Sequence, residues 1–149
     1  LAFVAADEDR RQNMPKVYAG DAVFESMEDY LAAMEAWEQH RAPFKAQAEA
    51  LVNEFIDYLY EQGLSERTVR KHGQNIGMFV VYLTEYTGED DFASVGKGTV
   101  NTNFFRWYRR KVLGAFDQAS LKSSTRKFFQ FLAERKDIHN EKVLGKRKK

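Results

Sequence analysis

From position 23 onward, apolar residues return every three or four places along almost the whole chain, and only two prolines, Pro15 and Pro43, punctuate it. That period marks helices that each bury one face. No stretch of more than a few residues alternates with period two, so no sheet is expected. The expected class is all-α.

A chain of 149 residues is one domain, or one domain with an arm, because single cores of this size already bury most of what they can. Hydrophobic residues make up 44% and charged residues 30%, which is neither a disordered composition nor a membrane-embedded one. No apolar run approaches the ~20 residues that a spanning helix needs. The absence of cysteine excludes a disulfide scaffold, thiolate metal sites, iron-sulfur clusters and a cysteine nucleophile. The opening Leu1-Ala-Phe-Val-Ala-Ala6 is too short for a signal-peptide core and runs into acids, so a cytoplasmic protein is expected. With no initiating Met, the chain reads as a piece of a longer product.

The first expected helix spans Val23 to about His40, with Val23, Met27, Tyr30, Leu31, Met34 and Trp37 on one face and Asp21 as its N-cap. Pro43 is expected to interrupt it. A second runs from Phe44 to Gln62 on the stripe Ala48, Leu51, Val52, Phe55, Ile56 and Leu59, with Gly63 as a left-handed stop. A third, capped by Ser65, reaches about Thr87 with Val69, Ile76, Phe79, Val80 and Leu83 inward and Gly88 beyond it. Residues 89–98 read as a connection. A fourth helix is expected over Thr99 to Leu113, with Val100, Phe104, Trp107 and Tyr108 on one side and Gly114 as its stop. A fifth starts near Ser120 and ends near Arg135, burying Leu121, Thr125, Phe128, Phe129 and Leu132. Gly73 and Gly77 fall inside the helix after Ser65, where each costs about 1 kcal/mol relative to Ala. Close approach of another helix, or of a nucleic-acid backbone, would offset that cost.

The net charge of +1 conceals a division at Pro43. Residues 1–43 hold four Lys/Arg against nine Asp/Glu, a net −5, and the rest holds nineteen against thirteen, a net +6. A basic body beside an acidic arm fits a polyanionic partner, although charge scatter of this size also describes a solvated surface.

Catalytic and metal chemistry find no footing. His40, His72 and His139 have neither the Glu-x-x-His pattern nor the spacing of a zinc pair, so no metal site is expected. Gly96-Lys-Gly-Thr99 lacks the earlier glycine and the preceding strand of a phosphate loop, so no nucleotide cofactor is expected either. Asp90 and Asp91 lie in a connection open to water, where nothing raises a carboxyl for acid catalysis.

The cations are better organised. Arg67, Arg70, Lys71 and Gln74 occupy one exposed face of the helix after Ser65, and Thr68 belongs to its first turn. Lys122, Ser123, Arg126, Lys127 and Gln130 repeat the arrangement on the last helix. Long cations flanked by hydroxyls and amides suit phosphate contacts with some base-edge readout in a major groove. In Arg106-Trp-Tyr-Arg-Arg-Lys111 the aromatics fit the core stripe, leaving Arg106, Arg109 and Arg110 as further candidate phosphate contacts. The tail Lys146-Arg-Lys-Lys149 is basic and linker-like.

Phe55-Ile-Asp-Tyr-Leu59, then Gly63-Leu-Ser-Glu-Arg-Thr68, then Phe79-Val-Val-Tyr-Leu83, resembles the N-terminal core-binding domain of tyrosine recombinases, the phage integrase family. Ser120-Leu-Lys-Ser-Ser-Thr125 with Phe128-Phe-Gln-Phe-Leu132 looks like that domain's last helix. Ile138-His-Asn140 is similar to the turn where family members leave for the catalytic domain. The resemblance implies a four-helix SAM-like orthogonal bundle over residues 44–140; the residues themselves add an acidic arm with an amphipathic helix over 1–43, where family members often have a basic arm-binding domain or a short lead, and a basic tail or linker start over 141–149. It also implies half of a C-shaped clamp on duplex DNA, with the two cationic helices toward the major groove and a tetramer on paired sites in the full-length parent. The family's catalysis needs a His-x-x-Arg motif and a tyrosine in a separate domain. Here His40, His72 and His139 are followed at that offset by Pro43, Asn75 and Lys142, so a noncatalytic module without cofactor or membrane is expected. The competing expectation is a helical module that uses its N-terminal apolar face to bind a protein or a second copy of itself.

Overall fold

The computed structural model of the chain describes residues 17–19, 22–111 and 117–145, and among them it is all-α apart from one short ribbon. That ribbon pairs β1 (Val17–Ala19) with β2 (Ala22–Phe24) antiparallel, in the register Val17 with Phe24 and Ala19 with Ala22. It corrects the sheet-free expectation. Three-residue strands are too short to give a readable alternation. Val23 therefore lies in a strand, and α1 begins later, at Met27. The Ser26 hydroxyl accepts from the Asp29 amide at 3.1 Å and takes the capping role expected of Asp21, which lies outside the described residues. The Phe24 ring meets Tyr30 edge-on at 5.6 Å, and Tyr30 is buried while Leu31 is exposed.

A second correction concerns Pro43. α1 is one helix, Met27–Glu61, with Pro43 inside it. The proline removes one backbone donor, at a cost of about 3 kcal/mol. Ala, Glu and Gln recur on both flanks, and Phe44, Ala48, Leu51, Phe55 and Leu59 are all buried, so the helix persists through the fault. By compactness the chain divides at this proline into 1–43 and 44–149.

Within 44–149, α1 ends as expected. Gly63 takes φ 83°, its amide donates to the Tyr60 carbonyl and the Leu64 amide reaches Leu59, which satisfies the last carbonyls. α2 covers Glu66–Tyr86, capped by Ser65, and Val69, Ile76, Phe79, Val80 and Leu83 face inward. Gly88 does not adopt a left-handed conformation, and Thr87 ends the helix in extended backbone instead. A β-carbon on Gly73 would stand 3.4 Å from the Ile56 side chain of α1, an ordinary contact, so this position faces α1. Gly77 has nothing within 4 Å.

The connection after α2 is less open than its composition implies. Phe92 and Val95 are buried around a 3-10 turn at Phe92–Ser94. The helix expected over Thr99 to Leu113 is split into a π turn, Thr99–Phe104, and α3, Phe105–Lys111; Gly114 lies outside the described residues. α4 covers Gln118–Arg135. Its cap is Asp117, whose carboxylate accepts from the Ser120 amide, so Ser120 belongs to the first turn and is not the cap. A short helix α5, Glu141–Leu144, capped by Asn140, occupies the start of the expected tail, and Lys146–Lys149 lie outside the described residues.

Aromatic rings fill the core. Phe55 of α1, Phe79 of α2, Phe92 of the turn and Phe128 and Phe129 of α4 are fully buried and meet at centroid distances of 5.3–6.5 Å, mostly edge to face. Along the α1–α4 edge, Tyr58 donates to Glu134, Arg135 pairs with Glu61 and Lys136 with Glu54. Exposed pairs of this kind contribute little each.

Candidate nucleic-acid interface

The cap on α2 sets the phase of its cations. Ser65 accepts from the Thr68 amide at 3.3 Å and shares a 3.0 Å hydroxyl contact with the Thr68 side chain. With Val69, Ile76 and Phe79 turned inward, the 3.6-residue period puts Arg67, Arg70, Lys71 and Gln74 toward solvent. Arg67, Arg70, Lys71 and Gln74 are all exposed. Thr68 is exposed as well, although its hydroxyl is engaged by the cap. On α4, Leu121, Phe128 and Leu132 turn inward and leave Lys122, Ser123, Arg126 and Gln130 exposed and Lys127 half-buried.

A buried polar seam, invisible to a search for apolar stripes, joins the two helices. His72 Nδ1 lies 2.7 Å from the Ser124 hydroxyl, and the Asn75 amide donates to Ser124 at 2.9 Å and to Ser120 at 3.0 Å. His72 and Asn75 occupy core-phase positions of α2, and Ser124 does so on α4. That phase was the available signal. Their polar type hid them from a hydrophobic pattern.

The seam brings the two cationic faces together. Burial lowers the His72 pKa below its usual 6.5, and the charges of Lys127 from α4 and Lys71 from α2 push it the same way. One imidazole thus feels a cation from each face. Lys71 also reaches Asp117 at the start of α4, at 3.4 Å. On the helical period, Arg67, Lys71 and Gln74 lie on the seam side of α2, and Ser123, Lys127 and Gln130 on the seam side of α4. Arg70 lies further round α2, and Lys122 and Arg126 further round α4.

Few of these cations are neutralised. Arg70 pairs with Glu66 at 3.1 Å and Lys71 with Asp117, both in exposed geometry that a phosphate can displace. The Asp117 carboxyl is held below its usual range first by the Ser120 amide and then by Lys71, so it stays ionised as a cap. Among the described residues, Arg67, Lys122, Arg126 and Lys127 form no ion pair. On α3, Trp107 and Tyr108 pack against the core as expected, and Arg106, Arg109, Arg110 and Lys111 are exposed. No group of His, Asp and Glu among the described residues is arranged to hold a metal ion, and no helix there is long and apolar enough to cross a membrane.

The lowered His72 pKa gives a testable pH dependence. An unfolded chain binds this proton below pH ~6.5 while the folded chain resists it, so the unfolded state takes up more protons as the solution is acidified. The stabilisation held by neutral His72 is complete above pH ~6.5 and is lost as the pH falls through the lowered folded value. The melting temperature should therefore drop on acidification more steeply in the parent chain than in a His72→Gln variant. Parallel curves for the two would show that His72 titrates normally.

The family described as phage integrase, N-terminal SAM-like domain, matches residues 52–136, a span that runs from the later part of α1 past the end of α4 and includes both cationic helices. No curated protein and no solved structure matches the chain.

Proposed function

The chain belongs to the phage integrase N-terminal SAM-like domain family, and from that premise we propose that it is the noncatalytic duplex-DNA-binding module of an integrase-like site-specific recombinase. Residues 44–140 form the core-binding domain, 1–43 the acidic arm and 141–149 a basic tail or linker start. α2 and α4 grip the duplex through Arg67, Thr68, Arg70, Lys71 and Gln74 on one helix and Lys122, Ser123, Arg126, Lys127 and Gln130 on the other. The full-length parent acts in the cytoplasm as a tetramer on paired sites. The observation that supports this reading is the juxtaposition of Lys71 and Lys127 across the His72 seam, which turns two separate charged faces into one cationic surface.

Phosphate contact leads this interface, since half to two-thirds of protein-DNA hydrogen bonds go to the backbone. Replacing Arg67 and Arg126 by Ala should weaken binding to all duplexes and flatten the plot of log affinity against log salt by up to two units of ~0.9. Stability should barely change, because both side chains are exposed and form no ion pair among the described residues. Lys97→Ala with Lys136→Ala, off both faces, is the control. Equal flattening by both pairs would reduce the faces to ordinary surface charge.

A second reading rests on the exposed apolar side chains Val23 (47% exposed) and Leu31 (53% exposed), which would suit docking on a protein or a second copy. It takes over if the purified chain shows no duplex affinity at low salt and sediments as an oligomer.

A further inference from the structure

Beside α4 the fold holds a second cationic feature that the two-helix grip does not use. A pocket of about 220 Å³ is lined by Asn101 and Thr102 of the π turn, Phe105, Arg106 and Arg109 of α3, and Gln118 of α4. We propose that this pocket takes one backbone phosphate of the bound duplex, beyond the stretch covered by α2 and α4; the inference rests on the DNA-binding reading and extends its footprint.

The lining chemistry selects an anion. Two guanidinium groups stand at i and i+3 of one helix, on the same side as Asn101, Thr102 and Gln118, each of which carries a donor. Among the described residues no carboxylate lines the pocket. Phe105, only 5% exposed, forms an apolar floor that strengthens charge interactions above it. The arginine fork matches two phosphate oxygens at once.

The π turn explains how a short segment gathers these groups. Its wider winding carries Phe104 into the core while setting Asn101 and Thr102 four residues ahead of Phe105 and Arg106. Single π turns recur at functional sites because they are otherwise unfavourable.

The proposed pocket also adjoins the cationic surface. Asp117 directly precedes Gln118, and its carboxylate is committed to the Ser120 amide and to Lys71. The acid nearest the pocket in sequence is thus already neutralised by the face that holds the duplex. A strand passing Lys71 is carried toward Gln118 and the two arginines.

The test is salt-dependent binding of the full chain to a long fluorescent duplex. Arg106→Gln with Arg109→Gln should flatten the log-log salt slope by up to about 0.9 units, the share of one phosphate, so that a fourfold rise in salt costs the variant roughly three- to fourfold less affinity than it costs the parent. Arg110→Gln with Lys111→Gln removes the same charge from the same helix outside the pocket and should flatten it less. Equal flattening by both pairs, or none by the first, overturns the pocket. Arg106→Lys with Arg109→Lys should keep the slope and lower affinity, which guards against a Gln variant that fails to fold. Calorimetry with inorganic phosphate forms the other arm. Phosphate binding that the Gln pair abolishes while the duplex slope stays unchanged would make this a free-anion site and sink the proposal. A parent chain without duplex affinity would overturn the DNA-binding reading itself, whereas a binding parent with an unaltered Gln variant overturns the pocket alone.

Discussion

Truncating Phe128 to alanine is expected to cost about 3–5 kcal/mol of unfolding free energy, a large part of the ~5–15 kcal/mol that holds an ordinary domain together. Phe128 is fully buried, and its ring is the common neighbour of the bundle. It meets Phe55 of α1 at 5.3 Å, Phe92 of the 3-10 turn at 5.5 Å and Phe79 of α2 at 6.5 Å, besides Phe129 and Phe131 on its own helix. No single helix can close the space left by its removal, because the neighbouring rings come from three other segments. Phe128→Leu retains most of the volume and should cost about 1.5 kcal/mol or less. Urea unfolding measures both, with the midpoint moving and the slope unchanged. A loss below about 1 kcal/mol for the alanine variant would mean that the rings repack freely and that α4 is not the keystone of the core.

Phe128 also shows what was legible in the chain. Its inward direction follows from the 3.6-residue stripe it shares with Leu121, Thr125 and Leu132, and the exposed phase of Arg67, Arg70, Lys122 and Arg126 follows from the same arithmetic. Ser65 and Gly63 were readable because a cap and a left-handed stop are local devices with their own residue preferences. Pro43 misled because its rule is local while the burial that sustains α1 through it is not. Phe92 and Val95 sit in a segment whose acids and glycines look like loop, and only the finished core shows them inside. The π turn, Thr99–Phe104, is too short to leave a sequence period of its own. Of the candidate interface, the side chains were readable one helix at a time. Their union was not, because it depends on His72, Asn75, Ser120 and Ser124, polar residues whose partners lie 45 to 52 positions away.

Replacing Asn140 should have an effect nearly as large as losing Phe128, by a different route. Its side chain is buried, at 2% exposure for the residue, and the amide nitrogen donates to the carbonyls of Phe92 at 2.7 Å and Val95 at 2.8 Å. Its oxygen accepts from the Val143 amide at 3.0 Å and caps α5. One residue therefore clasps the connection after α2 to the end of the domain. Asn140→Ala leaves two buried carbonyls unpaired at ~1–3 kcal/mol each and removes a cap worth ~1 kcal/mol, so a loss of about 3 kcal/mol or more is expected. Asn140→Asp separates the two roles. Aspartate keeps the cap acceptor but aims a carboxylate oxygen at two carbonyl oxygens, so at neutral pH it should destabilise at least as strongly as alanine. A protonated carboxyl can donate to one of those carbonyls, which raises the folded-state pKa of the introduced acid above its ordinary ~3.9. The folded aspartate variant then holds its proton where the unfolded chain has lost it, and its stability relative to the alanine variant should grow as the pH falls through that raised value. Thermal melts of the three chains between about pH 4 and pH 7 read this directly. If the aspartate variant instead matches the parent at neutral pH, the cap alone carries the role of Asn140 and the two carbonyl contacts add nothing.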